Sequence, residues 1–274
     1  MSDDRSQRGG APAGRSEGTV SVDGRPVWFE AQGSGDPLVL LHGGMATNAT
    51  WDAQIRGLSS QRRIIAPERT AHGHTPDRPG PLTYEQMAEE TAQVLRALDL
   101  GPVDLVGWSD GGMVGFLLAV HEPGLVRTLA TTGSGFSSAG YVPGSMEELT
   151  SLEHDDEDLA IFAALYSEVS PDGPEHFPLV WEKVRRMWAE PFDWSADLER
   201  VPAPLLVMVG DDDYITVGHA DEMARRVPQG QLAVIPGASH LAPMEKPELF
   251  NRLVLDFVGD PVADTMMPLR RSVA

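Results

Sequence analysis

The stretch that decides the fold runs from Val103 to Gly112 and has the sequence VDLVGWSDGG. Its apolar first half predicts a buried strand, and the small-residue segment 111–121 predicts a helix directly after it. The intervening residues fit the pattern G-x-S-x-G, in which a sharp strand-to-helix turn raises a serine above a sheet. Glycines at 107 and 111 leave room for that turn. The stretch therefore predicts a nucleophile at Ser109, the alternative being a capping serine in a glycine-rich turn.

Apolar segments alternate with amphipathic ones on both sides of this turn. Asp23-Gly24 is typical of a tight hairpin turn between the first two strands, and Thr83 with Gln86 forms a capping box that begins a helix. This alternation predicts an α/β protein with a mostly parallel sheet flanked by helices. The predicted strands are 19–22, 25–31, 37–41, 63–67, 103–108, 126–132, 204–209 and 231–235, and the predicted helices are 83–98, 111–121, 219–226 and 247–258.

The segment 134–203 interrupts the alternation, because it contains no convincing strand although it is rich in Trp and Phe. A structureless loop of that length is improbable in a compact domain, so we interpret it as an inserted helical cap or lid. The core domain is then 19–133 together with 204–260. Residues 1–18 have almost nothing to bury and are predicted to be disordered, and 261–274 are predicted to be a loosely held tail.

Composition narrows the possible functions. The chain has 274 residues and a formal net charge of −20, which makes binding to nucleic acid or to an anionic membrane surface improbable. It has no cysteine, which removes disulfides, thiolate metal sites and a cysteine nucleophile. No apolar run approaches the roughly 18 residues of a membrane span, and the N-terminus lacks the apolar core of an export signal. We expect a cytoplasmic monomer or homodimer whose partner is a small-molecule substrate.

A serine hydroxyl needs a base, and His240 is the candidate. It lies in Gly237-Ala238-Ser239-His240, after a predicted strand and before a predicted helix, at the sheet edge where sites of open α/β sheets collect. His42, in His42-Gly43-Gly44, is interpreted as structural. The histidines show no metal-ligand spacing, so we predict no metal site.

The third catalytic group should be a carboxylate that orients the imidazole. Three candidates, Asp211, Asp212 and Asp213, follow the strand that ends at Val209. Asp213 is favoured because strand exit and a glycine turn bring the third position over the sheet edge, while Asp211 and Asp212 remain alternatives.

The chain order Ser109, Asp213, His240 resembles that of the α/β-hydrolase superfamily, over roughly residues 19–258. His42-Gly43-Gly44 is similar to the family's oxyanion loop. The resemblance implies an oxyanion hole formed by the backbone N–H groups of Gly44 and Asp110, and no cofactor. The segment 66–75 resembles a family turn, with Glu68 in place of the usual Asp.

The sequence Gly-Trp-Ser-Asp-Gly-Gly is similar to the elbows of esterases and valacyclovirase-like enzymes. It implies a serine hydrolase that cleaves a small or medium ester, thioester or lactone through an acyl-enzyme. The alternatives are a lyase, C–C bond hydrolase or perhydrolase using the same three residues, or a non-catalytic ligand receptor of the same fold.

Five residues near the turn and in the cap are candidates for substrate binding: Met45, Trp108, Asp110, Trp181 and Trp188. Aromatic residues of the cap would either wall an apolar pocket or form the cap's own core. Asp110 would either stabilise the helix N-terminus or attract a cationic group of the substrate, as valacyclovirase-like enzymes prefer aminoacyl esters.

Overall fold

The computed structural model describes residues 14–262 and 265–267 and centres on one eight-stranded sheet. The sheet order is β1-β2-β4-β3-β5-β6-β7-β8, in which β1 and β2 pair antiparallel with their neighbours and all other pairs are parallel. The mostly parallel sheet is as predicted. Its strands are β1 (Ser16–Val22), β2 (Arg25–Gln32), β3 (Pro37–Leu41), β4 (Arg63–Pro67), β5 (Val103–Trp108), β6 (Val126–Thr132), β7 (Leu205–Asp212) and β8 (Gly230–Ser239).

Helices cover both faces of the sheet. One face packs against a cluster that includes Phe116 and Leu95, and the other against a cluster that includes Trp51 and Phe250. The hydroxyl of Thr83 accepts a hydrogen bond from the Gln86 N–H at the start of the second helix, as the capping box predicts. The helices are α1 (Asp52–Leu58), α2 (Tyr84–Ala97), α3 (Asp110–His121), α4 (Ser145–Ser151), α5 (Ala160–Val169), α6 (Phe177–Ala189), α7 (Val217–Arg226), α8 (Ala242–Glu245) and α9 (Pro247–Gly259).

The structure corrects the N-terminal boundary. Residues 16–18, predicted to be disordered, belong to β1, where backbone pairing with β2 and an ion pair from Arg15 to buried Glu30 (2.8 Å) hold them. Residues 1–13, 263–264 and 268–274 lie outside the described residues, and with them most of the predicted disorder and tail. Strands β7 and β8 also continue past their predicted ends at Val209 and Ile235. Within the described chain, no helix is both long and apolar enough to cross a membrane.

Helices α4–α6 lie in the segment between β6 and β7. Among the described residues there, the β-structure consists of two isolated antiparallel bridges, Ser137 with Asp193 and Tyr141 with Ile215. Buried side chains of this segment join the same apolar cluster as α2 and α3, and they include Leu159, Tyr166, Phe177, Trp181, Val184 and Met187. The segment therefore sits directly on the core, and we refer to 134–203 as the cap.

Asp77, in the loop after β4, links the core to the cap. Both of its carboxylate oxygens accept from the Lys183 ammonium (2.6 and 2.8 Å), and Oδ2 also contacts His176 Nε2 at 2.9 Å. Burial alone would raise the pKa of the Asp77 carboxyl, but the hydrogen bonds from Lys183 and His176 bring this pKa below its ordinary value. The carboxyl is thus more stable ionised in the folded chain than in the unfolded chain.

We expect Asp77→Asn to lower the free energy of unfolding by about 2–3 kcal/mol at neutral pH, because the largely buried Lys183 ammonium loses its carboxylate. The folded pKa lies below the unfolded one, so this contribution is present above about pH 4 and is lost as the pH falls through the folded value. Urea unfolding at pH 7 and at acid pH measures both effects. The matched control is Asp155→Asn, on the exposed surface of the cap. Equal stabilities of wild type and Asp77→Asn at pH 7 would contradict the link.

Candidate active site

Ser109 occupies a strained turn between β5 and α3. Its backbone has φ 54° and ψ −125°, in a region that residues other than glycine rarely adopt, and its N–H donates to the Thr132 carbonyl at 2.9 Å. A Cβ at Gly107 would overlap the backbone of Gly111, and a Cβ at Gly111 would overlap the Leu41 carbonyl. The two glycines are therefore required by close backbone approach, and the half-buried Ser109 hydroxyl stands at the carboxyl edge of the sheet.

Ser109, His240 and Asp213 form a continuous chain of hydrogen bonds. The Ser109 Oγ lies 3.0 Å from His240 Nε2, and His240 Nδ1 lies 2.7 Å from Asp213 Oδ1. An ionised carboxylate only accepts, so Nδ1 carries the proton and Nε2 is left to accept from the serine hydroxyl. This is the arrangement needed to remove a proton from Ser109.

Among the three neighbouring aspartates, the structure places Asp213 against His240. Its fully buried carboxylate also accepts from the N–H groups of Ile215 (3.2 Å) and Gly210 (3.4 Å). Asp211 turns toward β8, where hydrogen bonds from the backbone N–H groups of Gly237 and Ala238 lower the pKa of its carboxyl. Asp212 is exposed. The register shift between β7 and β8 at this point separates the directions of these side chains.

Trp108 contacts the backbone of His240 through its indole ring. Its indole N–H donates to the His240 carbonyl at 2.7 Å, and its buried ring packs in the cluster on the α1 and α9 side of the sheet. On the other side, a Cβ at Gly133 would lie 2.8 Å from the imidazole. The structure therefore gives Trp108 contacts that position the histidine loop, and the substrate contact predicted for it stays a prediction.

The loop that carries Gly44 is fixed by Arg69. This fully buried guanidinium donates to the carbonyls of His42 (2.5 Å) and Gly43 (3.1 Å), and the Arg69 N–H donates to His42 Nε2 at 3.2 Å. Burial and the nearby guanidinium hold the pKa of His42 well below its ordinary value, so His42 is neutral. Burial lowers the pKa of Arg69 to about 10, which leaves it protonated at neutral pH.

The backbone N–H groups of Gly44 and Asp110 face no acceptor within the residues that the structure describes. Gly44 lies against the Asp110 side chain, since a Cβ on Gly44 would overlap the Asp110 carboxylate. Two unpaired donors thus lie on adjoining segments beside the nucleophile, an arrangement suited to binding an oxyanion.

The Asp110 carboxylate is buried and bound by two neutral donors. Its Oδ1 accepts from the Tyr84 hydroxyl at 2.9 Å, and both oxygens accept from the Trp188 indole N–H, at 3.2 and 3.0 Å. Burial raises the pKa of Asp110, although Arg69 and the two hydrogen bonds oppose this effect. No ion pair to Asp110 forms among the described side chains, so attraction of a substrate cation stays a prediction; such a cation would approach oxygens that already accept hydrogen bonds.

The other candidate substrate contacts differ in their surroundings. Trp181 is 2% exposed and donates its indole N–H to the Leu152 carbonyl, which places it in the interior of the cap. Met45 has φ 55° and is buried in the cluster beneath the cap. Trp188 contacts Asp110 and packs edge-on against Trp181, with ring centroids 5.9 Å apart.

A cleft of about 710 Å³ opens between the start of α2 and helix α6, and its wall includes Leu82, Tyr84, Met187, Phe192 and Trp194. None of the three hydrogen-bonded side chains of Ser109, His240 and Asp213 lines it. Tyr84, one of the wall residues, also donates to Asp110. In the described chain, no three His, Asp or Glu side chains are grouped so as to hold a metal ion.

A sheet of this topology, with a serine in a strained turn and a histidine on the loop after the last strand, defines the class of α/β hydrolytic enzymes. The sequence profile of the alpha/beta hydrolase family matches residues 38–253. The chain belongs to the alpha/beta hydrolase family and is a hydrolase enzyme.

Three relatives illustrate the range within the family. The chain is 31% identical to a 2-hydroxymuconate semialdehyde hydrolase from Pseudomonas putida, over 84% of this chain and 89% of that protein. It is 28% identical to a pimeloyl-[acyl-carrier protein] methyl ester esterase from Nitrosomonas europaea, over 82% of this chain and 96% of that protein. A thermophilic esterase from Thermogutta terrifontis superposes with a TM-score of 0.70 at 27% identity, covering 92% of this chain and 100% of that one.

Proposed function

We propose that the protein is a serine hydrolase that cleaves a small or medium ester, thioester or lactone through an acyl-enzyme on Ser109. The observation that carries this proposal is the hydrogen-bond chain from Ser109 through His240 to Asp213, which ends at a serine exposed by a strained turn.

In the proposed reaction, Ser109 Oγ attacks the carbonyl carbon while His240 Nε2 takes the hydroxyl proton. The carbonyl oxygen becomes an oxyanion, which accepts from the N–H groups of Gly44 and Asp110, each worth about 3–4 kcal/mol in the transition state. When the intermediate collapses, the C–O (or C–S) bond breaks and His240 gives its proton to the leaving group. Water then attacks the acyl-enzyme with His240 as base, and the acid and free Ser109 are released.

The roles of the supporting residues follow from their contacts. Asp213 would hold the imidazole in the tautomer that accepts from Ser109 and stabilise the imidazolium. Arg69 would fix the Gly44 loop through the carbonyls of His42 and Gly43. The esterase names of two of the relatives support ester cleavage.

A second candidate is hydrolysis of a C–C bond by the same residues. It is favoured by the relative named 2-hydroxymuconate semialdehyde hydrolase, at 31% identity. Initial rates on p-nitrophenyl butyrate and on 2-hydroxymuconate semialdehyde, measured side by side, discriminate the two. A value of kcat/KM for the semialdehyde far above that for the ester would favour C–C cleavage.

The direct test of the nucleophile is labelling with a fluorophosphonate, which forms a covalent bond to an activated serine with loss of fluoride. We expect one adduct per chain, located by peptide mass spectrometry on Ser109, and none in Ser109→Ala. An unlabelled wild-type protein that also fails to turn over esters would contradict the proposal and favour a ligand receptor of the same fold.

A further inference from the structure

Trp188, near the end of cap helix α6, touches both segments that carry the unpaired N–H groups. Its indole N–H donates to the Asp110 carboxylate. The six-membered part of the same ring covers Gly44, because its Cζ2 atom, two bonds from the indole nitrogen, lies 2.5 Å from the position that a Cβ on Gly44 would occupy. One cap side chain therefore contacts both core residues whose N–H groups are proposed to bind the oxyanion.

We infer that Trp188 is a positioning residue for the oxyanion hole, and this inference rests on the hydrolytic function proposed above. The Asp110 carboxylate and the Asp110 N–H belong to the same first residue of α3, so a hydrogen bond that holds the side chain also restrains the donor. The indole ring also holds the Gly44 loop at a fixed distance from the Asp110 N–H. The rate of catalysis thus depends on the cap in two ways: the cap fixes the geometry of the oxyanion hole, and it forms a wall of the pocket.

Side chains of the core restrain the residues before Gly44 and one oxygen of Asp110, and the remaining contacts come from the cap. Arg69 holds the carbonyls of His42 and Gly43, before Gly44, and Tyr84 binds the Oδ1 atom of Asp110 from α2. Asp110 is 2% exposed, so water has little access to replace a lost donor. Trp188 is itself oriented by the buried ring of Trp181.

Displacement of a catalytic group by about 1 Å can cost on the order of 100-fold in rate, whereas a lost wall contact weakens binding of the whole substrate. We therefore expect Trp188→Phe, which keeps an aromatic ring but removes the N–H, to lower kcat for p-nitrophenyl butyrate by about 10- to 30-fold. Its KM should stay within about two-fold of wild type, since ground-state contacts are retained.

The diagnostic probe is a trifluoromethyl ketone: its carbonyl carbon bonds to Ser109 Oγ while His240 takes the hydroxyl proton, and the carbonyl oxygen becomes an oxyanion in the hole. Its inhibition constant should rise in Trp188→Phe by the same factor by which kcat falls, whereas the inhibition constant of butyrate, the product, should not change. Trp28→Phe is the matched control, because it also replaces an indole by a phenyl ring, but at a position on β2 where the ring stacks on His74 and no hydrogen bond joins it to Gly44 or Asp110. We expect this control to match wild type in both constants.

The outcomes separate the two proposals. A wild-type protein that forms no fluorophosphonate adduct on Ser109 overturns the hydrolytic function itself. With labelling intact, an unchanged kcat in Trp188→Phe, or a loss confined to KM, overturns the positioning role.

Asp110→Asn supplies a second variant if Trp188→Phe does not fold, because it keeps the side-chain size and the backbone N–H. The positioning role predicts equal losses of kcat for an aminoacyl ester and for its uncharged isostere. A loss of kcat/KM that is about ten-fold larger for the aminoacyl ester would assign Asp110 to recognition of a substrate cation and overturn its role as the anchor of Trp188.

Discussion

Ser109→Ala is expected to lower kcat for p-nitrophenyl butyrate by about 10⁴- to 10⁶-fold, because it removes the attacking oxygen and leaves only binding and the oxyanion donors. The backbone of the turn is unchanged by this substitution, since alanine has the same Cβ as serine at φ 54°. Its melting temperature should therefore remain within a few degrees of that of wild type. Stopped-flow or endpoint hydrolysis together with a thermal melt measures both quantities.

Ser167→Ala is the matched control for this variant, because Ser167 is exposed on α5 and its hydroxyl bonds only to the Ala163 carbonyl of its own helix. It should retain wild-type kcat. Residual activity of Ser109→Ala above about one per cent, with background hydrolysis subtracted, would show that another group forms the acyl intermediate.

Asp213→Asn is expected to lower kcat by about 10³- to 10⁴-fold. The amide that replaces the carboxylate can donate to His240 Nδ1, which favours the tautomer with the proton on Nε2. A protonated Nε2 cannot accept the proton of Ser109. KM should change little, since Asp213 is buried behind the imidazole. Steady-state kinetics with p-nitrophenyl butyrate measures the separation of kcat from KM.

The neighbouring aspartates give a sharp control series. Asp212→Asn changes an exposed carboxylate on the same strand end and should leave kcat within about two-fold of wild type. Asp211→Asn weakens a contact to the β8 backbone and should reduce stability more than turnover. If Asp211→Asn lowered kcat as much as Asp213→Asn does, the role of orienting His240 could not be assigned to Asp213 alone.

The sheet could be predicted because its signal is local. Strands β3 and β5 are apolar over nearly their whole length, since helices cover both faces, and the elbow glycines mark a place where backbone segments meet without side chains between them. The sequence pattern does not indicate helix α1, because the helix has only seven residues and follows directly on a 3-10 turn at Asn48–Trp51, without a side-chain cap of its own.

The surroundings of Ser109 were less predictable, because they depend on contacts between distant segments. Nothing in the local pattern of Arg69 or Tyr84 indicates that the first fixes the Gly44 loop and the second binds Asp110. The sequence favours Asp213 among the three aspartates but leaves Asp211 and Asp212 as alternatives, because the register shift between β7 and β8 at this point is not visible in the sequence.

Glu68 stands where the family's turn usually has Asp, and the structure gives a reason for the longer side chain. Its longer side chain reaches the N–H groups of Asn48 (3.0 Å) and His74 (2.6 Å) and so joins two loops of the core. The carboxyl group fills the space beside Gly73, where any Cβ would overlap it. A glutamate at 68 in this position therefore requires a glycine at 73.

The bridge between Ser137 and Asp193 brings the two ends of the segment 138–192 next to each other. Because the chain leaves and re-enters at adjacent points, we expect that this part of the cap can be exchanged for that of a relative without stretching the sheet. Such a chimera would keep Ser109, His240 and Asp213 but receive a foreign residue in the place of Trp188. The kcat of the chimera would then depend on whether the donor segment has a tryptophan at the corresponding position. Exchange of the segment would therefore change the substrate selectivity and the rate together.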